Sequence, residues 1–233
     1  KLLRSSLPAN IDIRADLAEE VAETGRSLGS RAVAIAADVF DEADIGRLVA
    51  ATVEQFGGLD IVFAHAGLVD TTPAMIHEVS TSDWDRVASR YLRGLFVLMK
   101  TVFPVMMSKR AGTFITTAAG TAIWPLPQVG SLHLATAYIT GKTAAVMLTK
   151  LAARQYGEYG IRANVICPGY HRTQHHTQDA QGMEEMERLM LEATPLKRVG
   201  LPEDIRGLAV YLASDASSFV TGQVFVEDGG FTA

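Results

Sequence analysis

The chain has 233 residues, of which 48% are hydrophobic and 20% charged, and we expect it to bury the core of one globular domain spanning residues 1–233. A formal net charge of −5 excludes a broad basic face for nucleic acid, and no apolar run approaches the length of a membrane span. Because the single cysteine, Cys167, cannot form an internal disulfide and no targeting segment is visible, we expect a cytoplasmic protein without nucleic-acid or membrane partners.

Short apolar segments alternate with longer helical patterns along the chain. The predicted strands, each nearly continuous in apolar residues, are 9–13, 32–37, 61–64, 113–117, 162–166 and 223–226. The predicted helices are 15–28, 42–56, 81–108, 137–159 and 202–214. Such alternation predicts an α/β fold with a doubly wound parallel sheet of the Rossmann-like type. Ligands of such sheets bind beyond the carboxyl ends of the strands.

The beginning of the chain departs from this plan. A dinucleotide-binding sheet starts with an apolar strand and a glycine-rich turn that opens a helix. Residues 1–6 instead resemble the end of such a helix, so segment 9–13 would be the second strand of the sheet. The first strand and its phosphate-binding loop are thus absent from this sequence, and we expect them to lie in about thirty residues of the protein outside it. Without them the edges of two neighbouring strands are open.

An acidic residue, Asp12, lies at the predicted end of strand 9–13. A carboxylate there can accept hydrogen bonds from the ribose hydroxyls of an adenine dinucleotide and repels a 2′-phosphate, which favours NAD over NADP. Two alternatives stay open. Arg14 would tolerate the phosphate, and Asp12 or Asp16 could instead cap the helix that follows.

Tyr138 and Lys142 are one turn apart on predicted helix 137–159 and so lie on one face of it. A tyrosine with a pKa of about 10 is a poor acid or base at neutral pH, and a nearby ammonium lowers that pKa by favouring the phenolate. The same ammonium can bind the ribose hydroxyls of a nicotinamide cofactor. Such pairs also occur on solvated helix faces, and the position of this one after strand 113–117 is what favours a catalytic pair.

With this pair the sequence resembles the short-chain dehydrogenase/reductase family, from Asp12 to Ala233. The family's Tyr-x-x-x-Lys motif matches Tyr138 and Lys142. Further motifs match in the family's order, and these are Asp38-Val39, the turn Ala64-His65-Ala66-Gly67, the segment Pro168-Gly169-Tyr170-His171-Arg172-Thr173, and the C-terminal segments 198–204 and 226–230.

The resemblance implies an oxidoreductase that transfers a hydride between NAD(H) and a secondary alcohol or ketone. Tyr138 would exchange the proton, Lys142 would lower its pKa and bind ribose, and Thr117 would donate a hydrogen bond to the substrate oxygen. It also implies a set of residues that bind the dinucleotide, namely Asp12, Asp38, Val39, Ala64, His65, Ala66, Gly67, Tyr138, Lys142, Pro168, Gly169 and Thr173.

Several positions depart from the family pattern. Thr117 stands where the family has its catalytic serine, and Tyr91 where it has an asparagine that holds a water near the lysine. The loop after Thr117 is longer than usual, and Ser131 or His133 could fold back toward the site or be ordinary loop residues. His65 could supply donors in place of the family's asparagines, or be hydrogen-bonded near the core. These departures leave open a non-catalytic relative that serves as a binding or assembly module.

Residues 173–200 correspond to the family's mobile substrate lid. His171, His175 and His176 lie at its start, but no further ligands are arranged for a metal, and we expect no metal site. The predicted helix 182–193 carries a methionine-rich apolar stripe that could shape an apolar substrate pocket or pack in the core.

The two longest predicted helices carry more apolar residues than one face of a sheet requires. The surplus includes Leu95, Phe96, Met99, Val146, Met147 and Leu148. In the resembled family these helices pair across a two-fold axis, so we expect a symmetric homo-oligomer, a tetramer.

Overall fold

Six strands and seven α-helices form the part of the chain that the computed structural model describes, residues 8–67, 74–124, 135–173 and 180–233, with the side chains of 180–183 left aside. The strands are β1 (Ala9–Asp12), β2 (Val33–Ala36), β3 (Ile61–Ala64), β4 (Gly112–Thr117), β5 (Ile161–Pro168) and β6 (Val224–Glu227). The helices are α1 (Ala15–Ser27), α2 (Glu42–Phe56), α3 (Thr81–Ala88), α4 (Gly94–Lys109), α5 (Thr136–Tyr156), α6 (Ala180–Ala193) and α7 (Pro202–Ala213). Every predicted element is present with bounds shifted by at most three residues, except that predicted helix 81–108 is divided.

Helix α2 shows how local sequence fixes these elements. The Asp41 side chain accepts a hydrogen bond of 2.9 Å from the Asp44 amide and so caps the first turn. The apolar residues recur at helical spacing, and Ile45 and Val49 are buried as that spacing predicts. A capped amphipathic helix of this kind covers one face of the sheet.

All described strand pairs are parallel. β1 pairs with β2, and a second sheet has the order β3-β4-β5-β6. One core cluster joins the two sheets, since it contains Ile35 of β2 and Phe114 of β4 together with Val49 and Phe103 from the covering helices. The fold is therefore the Rossmann-like α/β architecture that the sequence predicted.

One edge of β1 and one edge of β3 are not paired with any described strand. The side chains of β3 are correspondingly accessible, with Ile61 37% and Phe63 43% exposed. The prediction that two neighbouring strands have open edges is confirmed for the described residues.

The predicted helix 81–108 contains a π-helical turn, Ser89–Arg93, between α3 and α4. Tyr91 in this turn is buried. Gly94 follows directly, and a Cβ at this position would lie 2.8 Å from Cδ1 of Phe40, so any larger residue would displace that ring. The wider turn rotates Tyr91 relative to a regular helix, and π turns of this kind occur often at functional sites.

By length and composition alone, the helical stretch Thr81–Lys109 could cross a membrane. This corrects the expectation that no apolar stretch reaches that length. In its most apolar 18-residue segment, 44% is buried inside the protein. Val102, Phe103 and Met106 belong to the core cluster that also contains Phe114 of β4. Packing on the sheet accounts for the buried part of this stretch.

Candidate functional site

The predicted site residues lie at the carboxyl ends of the strands. Asp12 ends β1, Asp38 follows β2, His65 directly follows β3, Thr117 ends β4 and Pro168 ends β5. Because the strands in each sheet are parallel, these positions lie at the carboxyl edges of the two sheets, where the sequence predicted the site.

Helix α5 brings Tyr138 and Lys142 to this edge. The Lys142 ammonium donates a hydrogen bond of 3.0 Å to the Thr117 carbonyl oxygen and lies 5.9 Å from the centroid of the Tyr138 ring. The helix is tied to β4 two turns further along by a buried hydrogen bond of 2.8 Å between the hydroxyls of Thr116 and Thr149. The tyrosine, the lysine and the threonine predicted as catalytic therefore form one connected group.

Burial dominates the titration of this pair. It raises the pKa of Tyr138 to about 12 and lowers the pKa of Lys142 to about 8, because both charged forms lose solvation. The prediction that the ammonium lowers the pKa of the tyrosine is wrong for the protein alone. The ammonium lies over the Tyr138 ring and is hydrogen-bonded to Thr117, so its attraction for a phenolate does not offset the desolvation.

Tyr91 occupies the space beside the lysine. Its ring centroid is 4.9 Å from the Lys142 ammonium and 5.4 Å from the ring centroid of Tyr138, which it meets edge to face at 84°. A Cβ on Gly67 would lie 3.2 Å from the Tyr91 ring and 3.4 Å from the Lys142 nitrogen, so this turn approaches the site closely. From the sequence, Tyr91 could be recognised only as a departure from the family pattern, and its contact with the ammonium was not predicted. A buried aromatic ring next to a buried lysine makes such a contact possible.

His65 contacts the predicted catalytic threonine. Its Nδ1 lies 3.0 Å from the Thr117 hydroxyl oxygen, and its ring stacks on Phe63 with 5.3 Å between centroids. Although His65 has solvent access at the open edge of β3, the surrounding protein and then the Lys142 ammonium lower its pKa. Of the two interpretations left open, hydrogen bonding within the protein is confirmed, whereas a cofactor contact stays a prediction.

The other residues of the turn after β3 and of the Asp38-Val39 motif differ in burial. Val39 and Ala64 pack against the core cluster, while Ala66 is exposed. The Asp38 carboxylate accepts a hydrogen bond of 2.9 Å from the Phe40 amide. The Asp38 amide donates a hydrogen bond of 2.8 Å to the Asp44 carboxylate, which holds the Asp38 backbone at the sheet edge.

The turn after β1 carries the residues that bear on cofactor choice. Asp12 accepts a hydrogen bond of 2.8 Å from the Arg14 amide, and Arg14 forms an ion pair of 2.7 Å with Asp16. The N-cap position of α1 is Arg14 itself, without a side-chain cap. Neither aspartate therefore caps the helix, and this alternative is wrong.

The segment after β5 is attached to the C-terminal strand. The Gly169 amide donates to the Glu227 carbonyl oxygen at 2.9 Å, and His171 pairs with Gly200 through a β-bridge. The buried His171 Nε2 lies 2.8 Å from the Glu227 carboxylate. Arg172 bonds Glu187 of α6, with 3.1 Å between Nε and Oε2, and so joins this segment to the predicted lid.

Several predictions fall partly outside the described residues. Ser131, His133, His175 and His176 are not described, and no group of three or more His, Cys, Asp or Glu residues that could hold a metal occurs in the described ranges. Within the lid helix, Met190 is buried, which favours core packing for that part of the apolar stripe.

The described residues fit a nicotinamide dinucleotide at this edge. The Lys142 ammonium has three donors and the Thr117 carbonyl accepts one of them, so ribose hydroxyls can accept the others. The glycine at position 67 leaves space directly beside this nitrogen, where any side chain would crowd Tyr91. Asp12, Asp38 and the turn after β3 extend the site along the strand ends.

Comparisons with known proteins agree with this geometry. A family profile of the short-chain alcohol dehydrogenase type, described as enoyl-(acyl carrier protein) reductase, matches residues 9–232. The chain is 31% identical over 234 residues to 2-(R)-hydroxypropyl-CoM dehydrogenase of Xanthobacter autotrophicus, covering 100% of this chain and 91% of that protein. It is 32% identical to a protein of the same organism named inactive 2-(S)-hydroxypropyl-CoM dehydrogenase 2, covering 88% of this chain and 87% of that protein.

A solved structure shares the fold. The structure of 7α-hydroxysteroid dehydrogenase complexed with NADH and 7-oxo glycochenodeoxycholic acid has a TM-score of 0.83 and 29% identity, covering 95% of this chain and 83% of that chain. The matches to the family profile, to the two relatives and to the solved structure each cover most of the chain. The chain belongs to the short-chain dehydrogenase/reductase family.

Proposed function

We propose that this oxidoreductase transfers a hydride between NAD(H) and a secondary alcohol or ketone. The observation that carries the proposal is the hydrogen bond of 3.0 Å from Lys142 to the Thr117 carbonyl oxygen, which holds the Tyr138–Lys142 face of α5 against the end of β4. A similar protein is named 2-(R)-hydroxypropyl-CoM dehydrogenase, which supports the reaction class, whereas another carries a name that begins with inactive.

Three side chains would act on the substrate and cofactor. Tyr138 exchanges a proton with the substrate oxygen, and Thr117 donates a hydrogen bond to that oxygen. Lys142 binds ribose hydroxyls. When bound, the cofactor supplies or accepts the hydride at its nicotinamide ring. In reduction the carbonyl carbon gains the hydride and the oxygen gains the Tyr138 proton, and oxidation is the reverse.

The raised pKa makes Tyr138 a weaker acid than an exposed tyrosine. Burial keeps the phenol protonated at neutral pH, and this is the form that protonates a carbonyl oxygen. Oxidation requires the phenolate, which positive charge at the site favours.

Charge in the turn after β1 supports NAD as the cofactor. The Asp12 carboxylate repels a 2′-phosphate, and the positive charge of Arg14 is offset by its ion pair with Asp16. We therefore expect a higher kcat/KM with NADH than with NADPH, and Asp12→Ala should narrow the difference. A wild-type preference for NADPH would contradict this assignment.

The proposed function is tested by measuring NADH binding through fluorescence, followed by NADH oxidation with a panel of ketones. Binding with turnover on at least one ketone supports the proposal. Binding without turnover favours the second candidate, a non-catalytic binding or assembly module. Tyr91 favours that candidate, because it packs beside Lys142 and Tyr138 in the place of the family's asparagine.

We also propose a cytoplasmic location and a homotetrameric assembly. Of the apolar residues predicted as surplus, Phe96 and Met147 are 52% and 57% exposed, which fits an apolar contact surface on α4 and α5. Met99 and Val146 are buried in the core, so their assignment to that surface is wrong.

A further inference from the structure

We propose that His65 is a positioning residue that donates a hydrogen bond from Nδ1–H to the Thr117 hydroxyl oxygen and so directs the Thr117 hydroxyl proton toward the substrate oxygen. This inference rests on the proposed function. It assigns to His65 a role in proton placement that is separate from any contact with the cofactor.

The sheet brings the two side chains together. β3 and β4 are parallel, and Ala64 pairs with Thr116, so the next residues on each strand, His65 and Thr117, are neighbours with side chains on one face. Nδ1 and Oγ1 are 3.0 Å apart, a normal hydrogen-bond distance. Stacking on Phe63 at an interplanar angle of 29° fixes the plane of the imidazole.

Counting donors distinguishes two arrangements of this pair. A threonine hydroxyl has one proton, and a neutral imidazole has one N–H and one acceptor nitrogen. If Nδ1 accepts, the Thr117 proton is used within the protein and the substrate oxygen receives nothing from it. If Nδ1–H donates, the hydroxyl proton is available to the substrate, and the two hydrogen bonds in series strengthen each other.

The surroundings favour a neutral imidazole. Although His65 is partly accessible to solvent, the surrounding protein and then the Lys142 ammonium lower its pKa, which disfavours the imidazolium. Lys142 holds the carbonyl oxygen of Thr117 while His65 holds its hydroxyl. Thr117 is therefore fixed at both ends, the condition under which a hydrogen bond to a reacting oxygen is effective.

Two substitutions of nearly equal shape test the role. His65→Asn keeps a nitrogen donor, whereas His65→Leu has neither donor nor acceptor. The rate of hydride transfer is measured in single turnovers by the loss of NADH absorbance in the presence of a ketone substrate. We expect His65→Leu to be slower than wild type by about tenfold or more, and His65→Asn to recover most of that loss. The matched control is His77→Leu at an exposed turn, which should leave the rate unchanged.

A double-mutant cycle separates positioning from a general structural effect. If His65 acts through the Thr117 hydroxyl, His65→Leu should cost no more than about twofold in a Thr117→Val background. The NADH dissociation constant should stay within about twofold of wild type. Thermal unfolding of each variant shows whether it is folded. If His65→Leu is not folded, the hydride-transfer rate of His65→Asn is compared with the rates of wild type and Thr117→Val, and a rate close to that of wild type supports the role.

The outcomes separate the two proposals. The role of His65 alone is overturned if wild type turns over, Tyr138→Phe abolishes that turnover, and His65→Leu transfers hydride at the wild-type rate. A His65→Leu variant that binds NADH more than about tenfold more weakly but transfers hydride normally at saturation makes His65 a cofactor contact instead. A wild-type chain that binds NADH without transferring hydride overturns the proposed function and the role of His65 with it.

Discussion

The ammonium nitrogen of Lys142 lies 4.9 Å from the centroid of the Tyr91 ring. The two residues come from different elements, α5 and the π turn Ser89–Arg93, and both side chains are buried. An ammonium over an aromatic face in a site shielded from water is stabilised by about 1 to 2 kcal/mol. The contact with Tyr91 therefore offsets part of the free-energy cost of burying the Lys142 ammonium, and the proposed reaction requires this lysine.

Replacing Tyr91 should reveal this contribution. Tyr91→Phe keeps the ring, whereas Tyr91→Leu removes it and leaves space beside Lys142. We expect the leucine variant to have a free energy of unfolding lower than that of the phenylalanine variant by about 2 kcal/mol. Urea denaturation of both variants measures the difference, and equal stabilities would show that the ring–ammonium contact contributes nothing.

The buried ammonium should make stability depend on pH. The pKa of Lys142 is lowered to about 8 in the folded protein, whereas the usual pKa of a lysine is 10.5. Between these values the unfolded chain binds a proton that the folded chain does not, so stability from this group rises with pH. Relative to Lys142→Met, the wild-type free energy of unfolding should increase by on the order of 1–3 kcal/mol from about pH 7 to about pH 9.5.

Urea denaturation of both proteins at the two pH values checks this expectation. Other titrating groups are common to both proteins and cancel in the comparison. A difference between wild type and Lys142→Met that does not change with pH would mean that the ammonium is not desolvated in the folded protein.

The hydroxyl that serves the substrate oxygen should be that of Thr117. Thr117→Val keeps the shape and removes the donor, and we expect about a hundredfold loss of kcat. Ser131 lies outside the described residues, and Ser131→Ala should cost little. Steady-state kinetics on one ketone compare the two variants. The reverse pattern would place the donor in the loop after β4 and refute the alignment of Thr117 with the family's serine.

Strands, helices and the edge that carries the site could be predicted from the sequence because they follow from local patterns. The burial of Ile45 and Val49 follows from helical spacing, and the position of Thr117 follows from an apolar strand that ends at a polar residue. Parallel pairing then brings the strand ends together, with no further information needed.

Other features depend on tertiary contacts that a sequence pattern does not contain. The contact between His65 and Thr117 joins residues 52 positions apart and requires the register of β3 and β4. The π turn at Tyr91 depends on packing around Gly94 and Phe40. The predicted direction of the Tyr138 pKa shift was wrong because spacing on a helix shows that Lys142 is near but does not show that both groups are buried.

The exposed apolar side chains of α4 and α5 should mediate assembly. Phe96 is 52% exposed, and Phe96→Glu would place repelling charges in a symmetric apolar contact. We expect wild type to sediment as a tetramer at micromolar concentration and Phe96→Glu as a smaller species. The matched control is Val21→Glu at an exposed position of α1, which should not change the assembly. A monomeric wild-type protein would contradict the proposed assembly.

The proton-transfer role of Tyr138 is the central claim, and one comparison tests it most directly. NADH oxidation by a ketone substrate is measured for wild type and for Tyr138→Phe, which differs by a single hydroxyl. We predict that the variant binds NADH within about twofold of wild type and loses turnover by at least about a hundredfold, the usual range for a positioned acid. A variant that retains more than about a tenth of wild-type turnover, a barrier change of only about 1.4 kcal/mol, would contradict the assigned role.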